Sequence, residues 1–234
     1  MITLTTIGTI LTFLFFFASA ISVYISWKKS PELEYLEYFA ISLFLFSIQQ
    51  MLFSLIGVIS KDPFTNHWLW IFSQFFAFAA ITFFLRFIMR IKAPQSEKIV
   101  FRTMAFLSII GADILLFDIP NFDAYFLNNM IYVVSVPPLT WAVIGIFMGS
   151  CLVLSFLLFV VDSLKVENKA LRTRSMIMAG GILFFTIGGP LHNLAETPFA
   201  MLAANFLMMF GAFLIMMATY LFKTPIGNHI HKNS

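Results

Sequence analysis

Along the 234 residues, long apolar stretches alternate with short polar connections. A helix needs roughly 20 apolar residues to cross a hydrocarbon core of about 30 Å. Seven stretches reach or approach that length, at about 3–27, 37–60, 66–90, 102–119, 137–162, 174–192 and 198–222. Only helices or closed barrels keep every backbone group paired in lipid, and strand-length alternation is absent, so helices are expected. The pattern predicts an all-α polytopic membrane protein, one seven-transmembrane-helix bundle over residues 1–234. Composition agrees: 60% hydrophobic residues, 11% charged residues and a mean hydropathy of +0.93 leave too little polar surface for a soluble globule.

Charge sets the expected orientation, because cytoplasmic loops collect Lys and Arg. Lys28 and Lys29, then Arg86, Arg90, Lys92, Lys98 and Arg102, then Lys165, Lys169, Arg172 and Arg174, and finally Lys223 and Lys232 fall on one side. Of the fourteen Lys and Arg residues only Lys61 faces the other way. With seven crossings this places the N-terminus outside and the C-terminus in the cytoplasm of a cell membrane. Trp68, Trp70 and Trp141 fall near outer helix ends and Trp27 near an inner end, the headgroup level that amphipathic rings favour. "ASA" at 18–20 imitates a signal-peptide cleavage site, but its basic residues follow the apolar run, so the first stretch reads as a retained helix. No linker or soluble domain divides the chain. Residues 1–29 and 137–165 share an "IG" and a lysine at a common offset, a faint three-plus-three repeat.

A single Cys151 can neither staple the fold nor form a paired thiol site. "GIFMG" (145–149) has small residues four apart, a spacing that lets helices approach closely in lipid. "AGG" (179–181) and "GG" (188–189), with Ala200, Ala204 and Gly211, predict tight packing on the same grounds. The thirty-one phenylalanines read as packing and lipid-facing surface, and the Met pairs at 208–209 and 216–217 as core filler.

Polar residues at membrane depth are costly, and by default they are functional hypotheses. Asp113 lies eleven residues beyond Arg102, on the order of 16 Å along a helix and hence near mid-membrane. A carboxylate there needs a partner, water or a proton. Gln49 and Gln50 reach a similar depth, in a stripe with Ser47, Ser54 and Gly57. Ser73 and Gln74, Thr186 and Asn205 all sit in the outer half. The asymmetry predicts a polar pocket opening outward, with Asp113 near its floor and Gln49, Gln50, Gln74 and Asn205 in its walls. Interhelical hydrogen bonding is the plainer alternative for the same residues.

"GGPLHNLAETP" (188–198) reads mostly as turn chemistry: Pro190 weakens the end of helix 6, and Thr197 with Pro198 caps helix 7. His192 and Glu196 are thereby set on the outer face, where His67, Asp62, Asp118 and Asp123 also fall. No HExxH or comparable spacing joins them, so no metal is expected. Seven helices with an outside N-terminus are the layout of retinal proteins, but the seventh stretch has no lysine for a Schiff base, so retinal is excluded and no cofactor is expected. The "PQ" at 94–95 lies in a loop rather than in a helix, unlike carriers with that signature. The histidines are too few for an intramembrane metal hydrolase.

"LRTRSMIMAGGILFF" (171–185), basic residues leading into a Gly-rich sixth helix, resembles the seven-helix input region of bacterial and archaeal membrane sensor histidine kinases. The resemblance is one of layout and covers most of the chain. It implies a sensor, and no kinase part lies within the 234 residues, so output is expected through a partner. The expected function is a non-enzymatic sensor or receptor-like module. The alternatives are an accessory subunit of a larger membrane complex and a small proton- or cation-coupled transporter using Asp113. Arg86, Arg90, Lys92, Lys98 and Arg102 are expected to contact anionic headgroups or an acidic partner. The other expected partners are the bilayer and a membrane protein or a second copy, and not nucleic acid.

Overall fold

The computed structural model describes residues 4–118, 123–127, 131–194 and 197–220. Among them are seven helices: α1 (Leu4–Lys29), α2 (Glu34–Leu55), α3 (Pro63–Lys92), α4 (Glu97–Phe117), α5 (Pro138–Lys165), α6 (Lys169–Leu194) and α7 (Pro198–Tyr220). All seven are long and apolar enough to cross a membrane. Two strands, β1 (Asp123–Leu127) and β2 (Ile131–Ser135), join α4 to α5 as an antiparallel hairpin with Asp123 opposite Ser135. The hairpin corrects the expectation of a strand-free chain. Its Tyr, Phe, Val and Ile content favours strands, but the segment is too short to stand out beside seven helices.

Local chemistry sets the helix ends. Asp62 caps α3 by accepting the Thr65 N–H at 2.9 Å, and Pro63 occupies the first turn, where its missing N–H costs nothing. α2 stops at Leu55 rather than near residue 60, because Gly57 takes φ 71°, a region open to glycine. The buried Asn66 side chain holds this turn: its Oδ1 accepts the Gly57 N–H at 2.9 Å and its Nδ2 donates to the Ser60 carbonyl at 3.0 Å. α6 does not end at Pro190 but runs through it to Leu194. The turn in "GGPLHNLAETP" is therefore shorter than expected, and Thr197 Oγ1 accepts the Ala200 N–H at 3.2 Å to start α7.

The helices pack in chain order around a ring, with α1 closing on α7. α3 is the most buried of them, while α4 and α5 leave most of their surface outside. Aromatic rings fill much of the interior: Phe39 stacks on Phe87 at 4.5 Å, and Phe16 meets Phe185 edge to face at 5.2 Å, both favourable geometries. Trp70 is 0% exposed, so it is a core residue rather than a headgroup anchor. Glycines bring α6 and α7 into backbone contact. A Cβ on Gly211 would lie 2.7 Å from the Gly181 carbonyl oxygen, and one on Gly188 would lie 2.9 Å from the Met208 nitrogen.

At the basic end, ion pairs bind neighbouring helices together. Arg86 Nε donates to Glu97 Oε1 at 2.5 Å, and its guanidinium lies between the rings of Tyr38 and Phe101, 4.0 and 4.3 Å from their centroids. Arg90 pairs with Glu34 at 2.6 Å, and Lys92 with Asp162. Three of the five cations expected at lipid or a partner are thus committed to the bundle. Of those five, Lys98 and Arg102 are exposed and belong to none of these ion pairs.

Candidate ligand-binding cavity

α5 packs mainly on α6 and touches α3 and α4 only lightly. Between it and α2, α3 and α6 lies a partly open cavity of about 400 Å³. The cavity lies away from the basic end, since its walls come from the later parts of α2 and α6 and the earlier part of α5. Glycines create much of the space. A Cβ on Gly149 or on Gly189 would meet nothing within 4 Å, and both residues line the cavity. This corrects the reading of Gly145 and Gly149 as a helix-contact motif. Gly145 meets only the Trp141 ring, at 3.8 Å, so these two glycines leave room rather than close it.

Polar groups converge on the space from three helices. Gln49 and Gln50 come from α2 and Gln74 from α3, while α6 adds Thr186 and His192. Gln50 Nε2 donates to Gln49 Oε1 at 2.9 Å, and Gln74 Nε2 donates to Ser73 Oγ at 3.3 Å. The Gln50 Oε1 atom is buried without a hydrogen-bond partner. Leaving such an acceptor unmet costs about 1–3 kcal/mol. His192 rests edge to face on Phe53 at 5.1 Å. Pro190, inside α6, has no N–H to offer the Thr186 carbonyl one turn earlier. The Thr186 hydroxyl itself turns back to the Ile182 carbonyl at 2.6 Å.

The remaining walls are largely apolar, with Phe46, Trp141 and Ile144 among them, and among the described residues no Asp, Glu, Lys or Arg lines the space. Small-molecule sites run about 300–1,000 Å³, mostly apolar with a few placed polar groups. The arrangement suits an uncharged molecule with an apolar body and one group that both donates and accepts hydrogen bonds.

Gln49, Gln50 and Gln74 thus come together, and His192, expected on the outer face, joins them. The other expected residues lie elsewhere. Asp113 is not at the cavity floor but on the outward surface of α4. Asn205 is buried where α7 meets α1: a Cβ on Gly8 would lie 3.3 Å from its side chain, and its Nδ2 donates to the Met201 carbonyl at 3.0 Å. His67 is buried in the first turns of α3 outside the cavity. Glu196 lies outside the described residues. Asp118, also expected on the outer face, is buried and accepts the Thr140 hydroxyl at 2.7 Å, tying the end of α4 to the start of α5. Among the described residues no three His, Cys, Asp or Glu side chains gather as a metal site would need.

Sequence reasoning missed Trp141 and Gly149 as cavity residues. Two glycines on a helix that otherwise carries bulky apolar side chains were the available signal. Compared with known proteins, the chain matches no family model, no curated protein and no solved structure.

Proposed function

We propose that this protein is a non-enzymatic, receptor-like seven-helix membrane module that takes a small uncharged molecule into the cavity between α2, α3, α5 and α6. In this reading the N-terminus is outside, the cavity lies in the outer half of the bundle, and the basic end faces the cytoplasm and passes a helix shift to a partner. The observation that carries it is the cavity itself, about 400 Å³ with a buried Gln50 acceptor left unmet. α5 is the natural moving part, because it is lightly held against α3 and α4 and a ligand between it and α2 adds contacts it lacks. The transporter alternative placed its ion site at Asp113, and the outward position of that side chain gives it no support.

The test uses thermal unfolding in mild detergent with naphthalene, 2-naphthol and 2-naphthamide as probes. A ligand that binds only the folded state raises stability by about 2.7 kcal/mol at a hundred times its Kd. The two polar probes should raise the unfolding midpoint of the wild type more than naphthalene does. Gly149→Leu, which fills the cavity from a position with free space, should remove all three effects, and Gln50→Leu only the difference between polar and apolar probes. Equal shifts in wild type and Gly149→Leu would place binding elsewhere and sink the proposal.

A further inference from the structure

α4 gives one face to the bundle and leaves the other bare. Its inner face meets α3 closely: a Cβ on Gly111 would come 3.0 Å from the Phe78 ring, and Ser108 shares a hydrogen bond with Thr82 at 2.9 Å. On the opposite face Ile99, Arg102, Phe106, Ile110, Asp113 and Phe117 follow each other three or four residues apart, the spacing of one helical stripe. All six are exposed, Phe106 at 63% and Phe117 at 81%.

Measured along α3, Asp113 on this stripe lies at the middle of the apolar span, one turn before α4 itself ends at Phe117. α4 runs antiparallel to α3, so the contacts of residue 108 with 82 and of 111 with 78 set Asp113 level with about Phe76. That level is roughly 15 Å along α3 from Arg86 and roughly 20 Å from Pro63, at about 1.5 Å per residue. Ionisable side chains at such depth normally face a bundle interior or a partner charge. None of the ion pairs among the described residues includes Asp113. Arg102 on the same stripe is three turns away, at the basic end, so among the described residues none supplies the opposite charge.

A second copy in the same orientation would not supply it either. Packed stripe to stripe, two copies set Asp113 against Asp113 and keep both Arg102 side chains at the far end. Charge complementarity therefore selects a different occupant. We infer that the exposed stripe of α4 docks a transmembrane helix of another membrane protein, one carrying a Lys or Arg at mid-membrane depth opposite Asp113. The apolar residues on either side give that helix its packing surface, and the ion pair fixes its register and depth. The inference does not depend on the cavity.

The full chain is reconstituted in phosphatidylcholine vesicles with a dansyl-labelled Leu/Ala transmembrane peptide, and association is read as energy transfer from the protein's tryptophans. Three peptides differ only at the central residue, which is Lys, Leu or Glu. The Lys peptide should associate about tenfold more tightly than the Leu peptide, in line with interhelical polar contacts of up to about 2 kcal/mol in membranes. Asp113→Asn should bring the two peptides level, and Asp113→Lys should transfer the preference to the Glu peptide. Because residue 113 is exposed, both variants should unfold at the wild-type midpoint, which separates lost docking from lost folding. Equal association of the Lys and Leu peptides, or a Lys preference that survives in Asp113→Asn, overturns the inference. So does efficient disulfide cross-linking between copies carrying Ile110→Cys and Cys151→Ser that excludes the Lys peptide, since the occupant would then be a second copy.

Discussion

Replacing Glu97 with alanine should loosen the basic end of the bundle, although the residue stands at the first position of a surface helix. Its side chain is 3% exposed and receives Arg86 Nε at 2.5 Å, while Arg90 lies 3.9 Å from its other oxygen. Removing one member of a buried pair costs about 3–5 kcal/mol, because the remaining charge stays desolvated. Arg86 keeps 23% of its side chain in contact with the outside, which lets solvent and headgroups screen part of the loss. Stacking on Tyr38 and Phe101 also survives the substitution. About 2–3 kcal/mol is the expected net cost, and at about 2–4 °C per kcal/mol for a chain of this size the unfolding midpoint should fall by about 5–10 °C. Cys151 provides the assay, because it is the single cysteine and is buried. A maleimide dye that fluoresces on reaching the thiol then reports opening of the bundle during a thermal ramp in mild detergent. Replacing both Arg86 and Glu97 by apolar residues should recover much of the loss, since no buried charge then stands alone against its partner's absence. A midpoint for Glu97→Ala within about 1 °C of wild type would refute the reasoning and return Arg86 to the lipid headgroups.

Gly211→Leu should disrupt the α6–α7 interface, because even its Cβ would lie 2.7 Å from the Gly181 carbonyl oxygen and from the Phe185 nitrogen; backbone cannot yield as a side chain can, so a loss above about 3 kcal/mol, or no folded protein, is expected in the same dye assay. Gly149→Leu, which meets no such obstacle, should fold at or above the wild-type midpoint. Thr140→Val should leave the buried Asp118 carboxylate without the hydroxyl that donates at 2.7 Å, costing about 1–3 kcal/mol, whereas Thr140→Ser should cost far less. Asp62 caps α3 through the Thr65 N–H and hydroxyl, which hold its carboxyl below the ordinary value of 3.8. A lowered folded pKa gives stability that is present above the unfolded value and lost as pH falls through the folded one. Hydrogen exchange in the first turn of α3, corrected for its intrinsic pH dependence, should therefore lose protection below about pH 4, and Asp62→Asn should remove that pH dependence while keeping a cap.

The number and order of the helices were legible in the sequence because crossing a bilayer is a demand on consecutive residues. An unbroken run such as 66–90 or 137–162 has to be a helix, whichever way it is turned. Start signals are equally local, which is why Thr197–Pro198 could be read as a cap. What the sequence does not carry is the rotation of each helix about its axis. In a soluble helix the polar face marks the outside, but here inside and outside are both apolar, and "FFAFAAITFFLRF" (75–87) has no face that water would claim. Depth along the chain could therefore bring Asp113 and Gln50 to the same level without showing that one points outward from α4 and the other into a cavity. Trp70 had the depth of a headgroup anchor, and only the neighbours of α3 made it core. Gly149 and Gly211 look alike in sequence, yet one opens a cavity and the other closes an interface, because α5 stands off from its neighbours while α6 and α7 meet backbone to backbone. Glu97 and Arg86 lie eleven residues apart across a turn, and their pairing depended on how sharply that turn folds α4 onto α3. Length and hydropathy determined which segments enter the membrane, and tertiary packing alone decided which of their side chains meet.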